Sequence, residues 1–409
     1  MLFKILQKLE LNENSLLISL FTISFLIRVP VIYFFGDTTV TNEWGQLLYY
    51  LVNHNILSLR EVPIGEPLPN LLMPPLYAYY LYIFSLLELK TNNYIFLVLL
   101  SQVILASISV VVFFKINRFF FTKRISFISS IVFSLFPIYL YASGKISSVS
   151  LTIFLALLFY YYFLEVKEKS TYINIFIFSI IGGLLILIRR EFILIFLFTN
   201  IYLFFVYKIT FKKFFIIFLI SIFTISPYLV RNFLIFDKII MSSGMGYNLW
   251  KANNPNAKVD GSDIIDNNLR KILNNLEEDK FYRINEDKVF YEEAIKNIKS
   301  DPLKYLILYF KRNFSFFFID FESTNSIYYN PFHYIPILIL GIFSFFGLIL
   351  SDKKSSSLNY FILVIFLYIA IFSFFALQAR YRIYIIPIQI IFSNVAIKFI
   401  VNKHFKKIT

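Results

Sequence analysis

Two acids and a scatter of arginines are the side chains in this 409-residue chain most able to do chemistry. Asp37 and Glu43 lie in the segment Phe35-Gly36-Asp37-Thr38-Thr39-Val40-Thr41-Asn42-Glu43-Trp44, just past a long apolar run. A carboxylate placed where an apolar layer meets water has its proton affinity raised, and it can then deprotonate a hydroxyl. The competing reading is two solvated loop acids. Arg189, Arg190, Arg231, Arg380 and Arg382 fall at the ends of other apolar runs. A guanidinium offers a rigid fork to phosphate oxygens, whereas a lysine is a point charge. Against anion binding stand snorkelling to headgroups and simple pairing, such as Arg190 with Glu191. Arg28, inside the first apolar run, is expected to be paired or to line a cavity. A carboxylate base with arginines beside a departing phosphate needs no general acid, unlike the two-carboxylate arrangement of glycosidases.

A third group is Tyr247, Asn248, Trp250, Asn253 and Asn254. The rings could stack on a sugar face while the asparagines bind hydroxyls. The alternative is a packed turn, Asn254-Pro255 being a turn signal. The chain has no cysteine, so it offers no disulfide, thiolate ligand or thiol nucleophile. His54, His333 and His404 are far apart in sequence, which argues against a histidine metal centre. Asp37 and Glu43 could hold a divalent cation, but they complete no ligand set. No other cofactor is indicated.

The elements that must position these residues are membrane helices. Charged residues make up 16% of the chain, against about 25% in globular proteins. Apolar runs near the length needed to span a bilayer recur throughout. Ten spans are expected, at about 15–35, 94–114, 125–142, 149–164, 172–188, 191–207, 214–230, 332–350, 358–377 and 383–400. The first run continues into Tyr33, Phe34 and Phe35 and lacks a small-residue cleavage site, so it reads as a span rather than a signal peptide. Met73–Leu89 opens with Pro74-Pro75 and is rich in tyrosine, which favours a helix lying at the membrane surface. Leu303–Phe318 is interrupted by Lys311 and Arg312 and is placed at the surface too.

Lysines and arginines then collect on one side, at Lys4 and Lys8, Lys115–Arg124, Lys208–Lys213, Lys353-Lys354 and Lys403–Lys407. That is the positive-inside pattern, with both termini inside. The net charge of +14 is accordingly assigned to inner loops and lipid phosphates, not to nucleic acid. Two long segments face outward, Gly36 to about Asn93 and about Arg231 to Pro331, the second turning helical from about Asn285. The expectation is one all-α, multi-pass domain over residues 1–409 in the plasma membrane, with its site at the outer face.

Longer motifs carry a resemblance. Met73-Pro74-Pro75-Leu76-Tyr77 follows the acidic loop; Phe136-Pro137 precedes Tyr141-Ala142-Ser143-Gly144; Gly182-Gly183-Leu184 leads to Arg189-Arg190-Glu191-Phe192. The most specific stretch is Ser226-Pro227-Tyr228-Leu229-Val230-Arg231-Asn232-Phe233, with Gly246-Tyr247-Asn248-Leu249-Trp250 and Asn253-Asn254-Pro255-Asn256-Ala257 after it, and Arg380-Tyr381-Arg382 before the last span. Together they resemble the GT-C superfamily of membrane glycosyltransferases, in particular the branch of protein mannosyltransferases and lipid A aminoarabinose transferases. The resemblance covers nearly the whole chain. It implies a helical membrane fold with surface helices in the first outer loop, a catalytic cavity at the outer face, and a polyprenyl-phosphate sugar donor transferred to a glycan, lipid or protein acceptor, usually with inversion. It implies Asp37 or Glu43 as base, Asp37 following the span as the family's acid often does. Arg190, Arg231, Arg380 and Arg382 would bind the donor phosphate. Asn42-Glu43-Trp44 stands where relatives often carry an Asp-Glu-Tyr run, and Met73 stands where aminoarabinose transferases carry lysine. A transporter or flippase of lipid-linked sugars would instead show charges deep in several spans and broken helices. A non-catalytic relative is the third reading.

Overall fold

The computed structural model describes residues 12–61, 67–87, 94–323 and 326–405. Lys4, Lys8, Lys406 and Lys407 of the expected inner charge lie outside them, as do the first outer loop's residues 62–66 and 88–93. The helices, in chain order, are α1 (Glu13–Phe35), α2 (Glu43–His54), α3 (Pro75–Leu87), α4 (Tyr94–Arg118), α5 (Lys123–Leu135), α6 (Pro137–Ser143), α7 (Val149–Glu168), α8 (Tyr172–Ile188), α9 (Phe192–Phe205) and α10 (Phe211–Phe236). They continue with α11 (Met245–Ala252), α12 (Asn267–Asn274), α13 (Tyr282–Ser300), α14 (Pro302–Phe317), α15 (Pro331–Leu350), α16 (Ser356–Phe372), α17 (Ala379–Arg382) and α18 (Ile386–Phe405). A small antiparallel hairpin, β1 (Ser58–Glu61) with β2 (Pro67–Pro69), interrupts the first outer loop.

The chain is an all-α, multi-pass membrane protein. Five helices (α1, α4, α7, α10 and α15) are long and apolar enough to cross a bilayer, and the bent pair α5–α6 makes a sixth. The other four expected spans fall on apolar helices of 17 residues or fewer, Tyr172–Ile188, Phe192–Phe205, Ser356–Phe372 and Ile386–Asn402. The 14 residues of α9 rise only about 21 Å, short of a hydrocarbon core about 30 Å thick, so ten full crossings do not follow from length alone. The expected span 358–377 stops early, because the chain leaves the helix at Ser373 and turns. The second outer segment carries two helices, α11 and α12, before the expected one. Large apolar side chains such as Phe34, Phe223, Leu234 and Phe346 stay exposed, as lipid contact requires and water does not allow.

The helix ends gather into two groups. At one end the turn after α1 meets the turn after α6, where the Asp37 N–H donates to the Gly144 carbonyl at 2.9 Å. There too Tyr139 of α6 donates to the Ile383 carbonyl, and Arg231 of α10 donates to the Asn70 carbonyl. At the opposite end Arg118 of α4 approaches Glu13 of α1 at 3.9 Å, Lys213 donates to Ser170, and Tyr202 donates to the Ser356 carbonyl. Lys115, Arg118, Lys123, Arg124, Lys208, Lys212, Lys213, Lys353 and Lys354 all border the second group of ends.

Arg28 is 1% exposed and explains the bend of 56° between α5 and α6. Pro137 has no N–H and breaks the helical ladder. The Ser134 carbonyl is taken by Arg28 Nη2 at 3.0 Å, while Arg28 Nη1 and Nε donate to the hydroxyls of Ser24, Ser134 and Ser143. Charge and break, the two features a transporter would use, account for each other here.

The most extensive helix pairing is α15 with α18, and small residues make it possible. Gly341, Ser344 and Gly347 are buried along α15. A Cβ on Gly347 would fall 1.8 Å from the Phe392 carbonyl oxygen, backbone that cannot swing aside. Gly347→Ala is therefore expected to cost about 1–3 kcal/mol of stability. Thermal unfolding in detergent checks this, and an unchanged melting temperature would show that the two helices do not approach so closely.

Candidate functional site

Asp37 is the anchored acid. Its carboxylate accepts from Lys145 Nζ at 2.6 Å and from the Ile146 N–H at 2.9 Å. The same turn is shaped from the other side. Gln102 donates to the Lys145 carbonyl at 3.0 Å, Tyr77 donates to Gln102 at 2.7 Å, and Asn42 donates to the Ile146 carbonyl at 3.1 Å. The hydrogen bond to Asp37 holds the Lys145 ammonium above its ordinary range. Each carboxylate oxygen has two acceptor positions, so lone pairs remain on Asp37 after both bonds. Glu43, the first residue of α2, is exposed, while the next residue, Trp44, is buried with its ring edge-on to Tyr77 at 4.8 Å.

A cavity of about 690 Å³ opens at the same end of the bundle. Arg190, Glu191, Ile193 and Leu194 at the start of α9 form one wall; Met241, Ser242, Met245, Asn248 and Leu249 form another. The end of α16 and its turn, Ala370 to Phe372 with Phe374 and Phe375, close it beside Tyr291, Ile295 and Tyr381. Most of this lining is apolar. Ile193, Leu194 and Phe374 are themselves exposed, so the apolar wall continues onto the outer surface.

Arg190 is held at the polar rim, where Nη1 donates to Ser242 Oγ at 2.6 Å and to the Ser243 carbonyl. Gly244 makes room for it. Its φ of +99° suits glycine, and a Cβ there would meet Leu72 Cδ1 at 2.6 Å and Arg190 Nη2 at 3.4 Å. The turn that supplies Leu72 is tied by Asn70, whose side chain accepts from the Leu72 and Met73 N–H groups.

The arginines expected to share one phosphate do not converge. Only Arg190 lines the cavity. Arg231 donates to the Asn70 carbonyl and to Asn232 Oδ1, and its Nη2 is left without a partner. The Tyr228 hydroxyl lies within electrostatic reach of both Arg231 and Arg190. Arg382 is 1% exposed, donates to the Ser315 carbonyl and stands over the Tyr328 ring, and burial lowers its pKa. Arg380 is exposed, with its guanidinium 5.7 Å from the Tyr381 ring. Position at a span end does not reveal that backbone will claim part of a guanidinium, as the Ser315 carbonyl does for Arg382, whose Nε and Nη1 keep no partner. The supposed Arg190–Glu191 pair is not formed either.

Four of the five residues expected to bind a sugar are engaged within the turn itself. Trp250 is 2% exposed and packs on Phe290 at 4.9 Å. Asn253 donates to the Leu249 and Phe374 carbonyls, and Asn254 to the Ser262 carbonyl. Tyr247 is half-buried and gives its hydroxyl proton to Asp263 at 2.6 Å. These four build the packed turn; only Asn248 reaches the cavity. The organiser of that turn is Arg312, fully buried on the amphipathic helix α14. It donates to the carbonyls of Ala252, Lys258 and Val259, with longer contacts of 3.5 Å to Asn253 Oδ1 and the Ser373 carbonyl. Lys311 does face outward, paired with Glu322.

Among the described residues no group of three or more His, Asp and Glu side chains gathers. A cation at Asp37 would have to displace the Lys145 ammonium, so the residues present do not fit a metal and no step is routed through one.

No family model matches the sequence, and no curated protein matches it significantly. Solved structures do resemble it. The oligosaccharyltransferase of Archaeoglobus fulgidus, tethered to an acceptor peptide containing the NVT sequon, matches with a TM-score of 0.56 and 14% identity over 95% of this chain and 50% of that one. The apo form matches with a TM-score of 0.55 and 13% identity over 96% and 51%. The complex with Zn and sulfate matches at 0.54 and 15% over 94% and 50%. The chain thus spans about half the length of these structures and shares the fold of that oligosaccharyltransferase.

Arg312→Leu is expected to strip donors from several buried carbonyls and to cost at least about 3 kcal/mol. Hydrogen exchange would then show residues 252–261 opening while α4 and α7 stay protected. Unchanged protection at 252–261 would mean that Arg312 is not what holds the turn.

Proposed function

We propose that the protein is a GT-C glycosyltransferase that moves a sugar from a polyprenyl-phosphate donor to an acceptor hydroxyl at the extracytoplasmic face of the plasma membrane. The observation that carries this reading is the cavity, whose apolar walls run onto an exposed apolar surface and whose rim holds Arg190. A lipid-linked phosphate needs that combination, hydrocarbon contact for the chain and a guanidinium for the phosphate. Arg231, with a free Nη2 across Tyr228, adds positive potential to the same region. The acceptor oxygen attacks the sugar's anomeric carbon, the bond from that carbon to phosphate breaks, and the electron pair leaves on the polyprenyl phosphate. Asp37 takes the acceptor proton, its orientation set by Lys145 and Ile146. A single displacement of this kind inverts the anomeric centre. The outward segments 36–93 and 231–331 would then form the extracytoplasmic layer over the one membrane domain.

Transfer of radiolabelled sugar from synthetic polyprenyl-phosphate donors to total membrane acceptors tests this reading. Asp37→Asn is expected to lose about 100-fold or more of the rate. Glu43→Gln should stay within a few-fold of wild type, and Arg190→Ala should raise the donor KM. Transfer that survives Asp37→Asn would remove Asp37 from the mechanism. A protein that binds donor but never transfers would favour a flippase.

A further inference from the structure

Glu191 is a carboxylate without an assigned partner. It lines the cavity, and it occupies the N-cap position of α9 yet makes no capping hydrogen bond. Its Oε2 is buried and accepts no hydrogen bond, and no ion pair reaches it among the described residues. Arg190, the neighbour that would neutralise it, is committed to Ser242 and Ser243. A buried carboxylate oxygen with no donor is costly, and native structures rarely leave one without a reason.

Two more unsatisfied groups stand close by. Arg189 Nε and the Tyr384 hydroxyl lack partners, Tyr384 being only 2% exposed. The Arg189 guanidinium is 5.9 Å from the Tyr384 ring centroid, and Glu191 acts electrostatically on Arg189. An acceptor-only group therefore lines a largely apolar cavity, one residue along from the arginine at its rim.

We propose that Glu191 binds the donor's sugar ring, accepting hydrogen bonds from its hydroxyls, and so selects a neutral polyhydroxy sugar over one that carries a carboxylate. This rests on the reading of the cavity as the donor site. In such a donor the phosphate and the first ring hydroxyls are neighbours, as Arg190 and Glu191 are in the chain. A carboxylate accepts from two adjacent hydroxyls at once and offers no donor in return. A uronic acid would bring a second negative charge to Glu191, which is the repulsive element that specificity needs.

Binding to the purified protein, measured with three probes, tests the proposal. The probes are bare polyprenyl phosphate, polyprenyl-phosphate hexose and polyprenyl-phosphate hexuronate. Wild type is expected to bind the hexose donor at least about tenfold more tightly than the hexuronate, the scale of one hydrogen bond to a charged group. Glu191→Gln should weaken the hexose donor about tenfold, leave bare polyprenyl phosphate unchanged, and shrink the preference over hexuronate. Equal binding of the two sugars by wild type overturns the proposal without any variant, as does a Glu191→Gln protein with unaltered hexose affinity. A wild type that ignores bare polyprenyl phosphate as well would overturn the donor-site reading itself.

Discussion

One guanidinium joins the two layers between which the cavity lies. Arg312 reaches from α14 to the carbonyls of Ala252, Lys258 and Val259 on one side and towards the Ser373 carbonyl on the other. The first set ends α11, and Ser373 ends α16. Met245, Asn248 and Leu249 of α11 and the turn around Ser373 are the facing walls of the cavity. Backbone that leaves a helix beside lipid must find donors within the protein. Arg312 supplies several at a single point, and the separation of the walls follows from it.

The same constraint recurs elsewhere in the fold. Arg28 serves the carbonyl freed where α5 breaks at Pro137, and Arg382 serves Ser315 at the end of α14. Tyr139 and Tyr368 hold the Ile383 and Tyr381 carbonyls, fixing the short segment before α18. Each of these groups could be taken for a ligand-binding charge or hydroxyl. Their carbonyl partners give each a structural role, while Arg382 Nε and Nη1, like Arg231 Nη2 and Arg189 Nε, keep donor capacity to spare.

The all-α, multi-pass character was legible in the sequence because apolar length is a one-dimensional signal, though five helices and one bent pair, not ten, are long enough to cross. The β-hairpin at Ser58–Pro69 was not, being a few residues in a polar loop. The burial of Arg312 was not legible, because a charge in an amphipathic stretch does not foretell several carbonyls converging on it. Trp250, Asn253 and Asn254 read as ligand-binding types, yet their partners lie in sequence as far away as Phe374. Glu191 was passed over as a neighbour for Arg190; only the commitment of Arg190 to Ser242 and Ser243 exposes it. The fold shared with the archaeal oligosaccharyltransferase emerges at 13–15% identity, where packing persists after side-chain identity is lost.

The most direct measurement is photo-crosslinking with a polyprenyl phosphate carrying a diazirine near its phosphate, followed by peptide mapping. If the cavity holds the donor, label will concentrate on residues 190–194, 241–249 and 370–375 and fall away with excess unlabelled polyprenyl phosphate. Label confined to the lipid-facing sides of α1, α10 and α15, or unaffected by competitor, would contradict a donor site in the cavity.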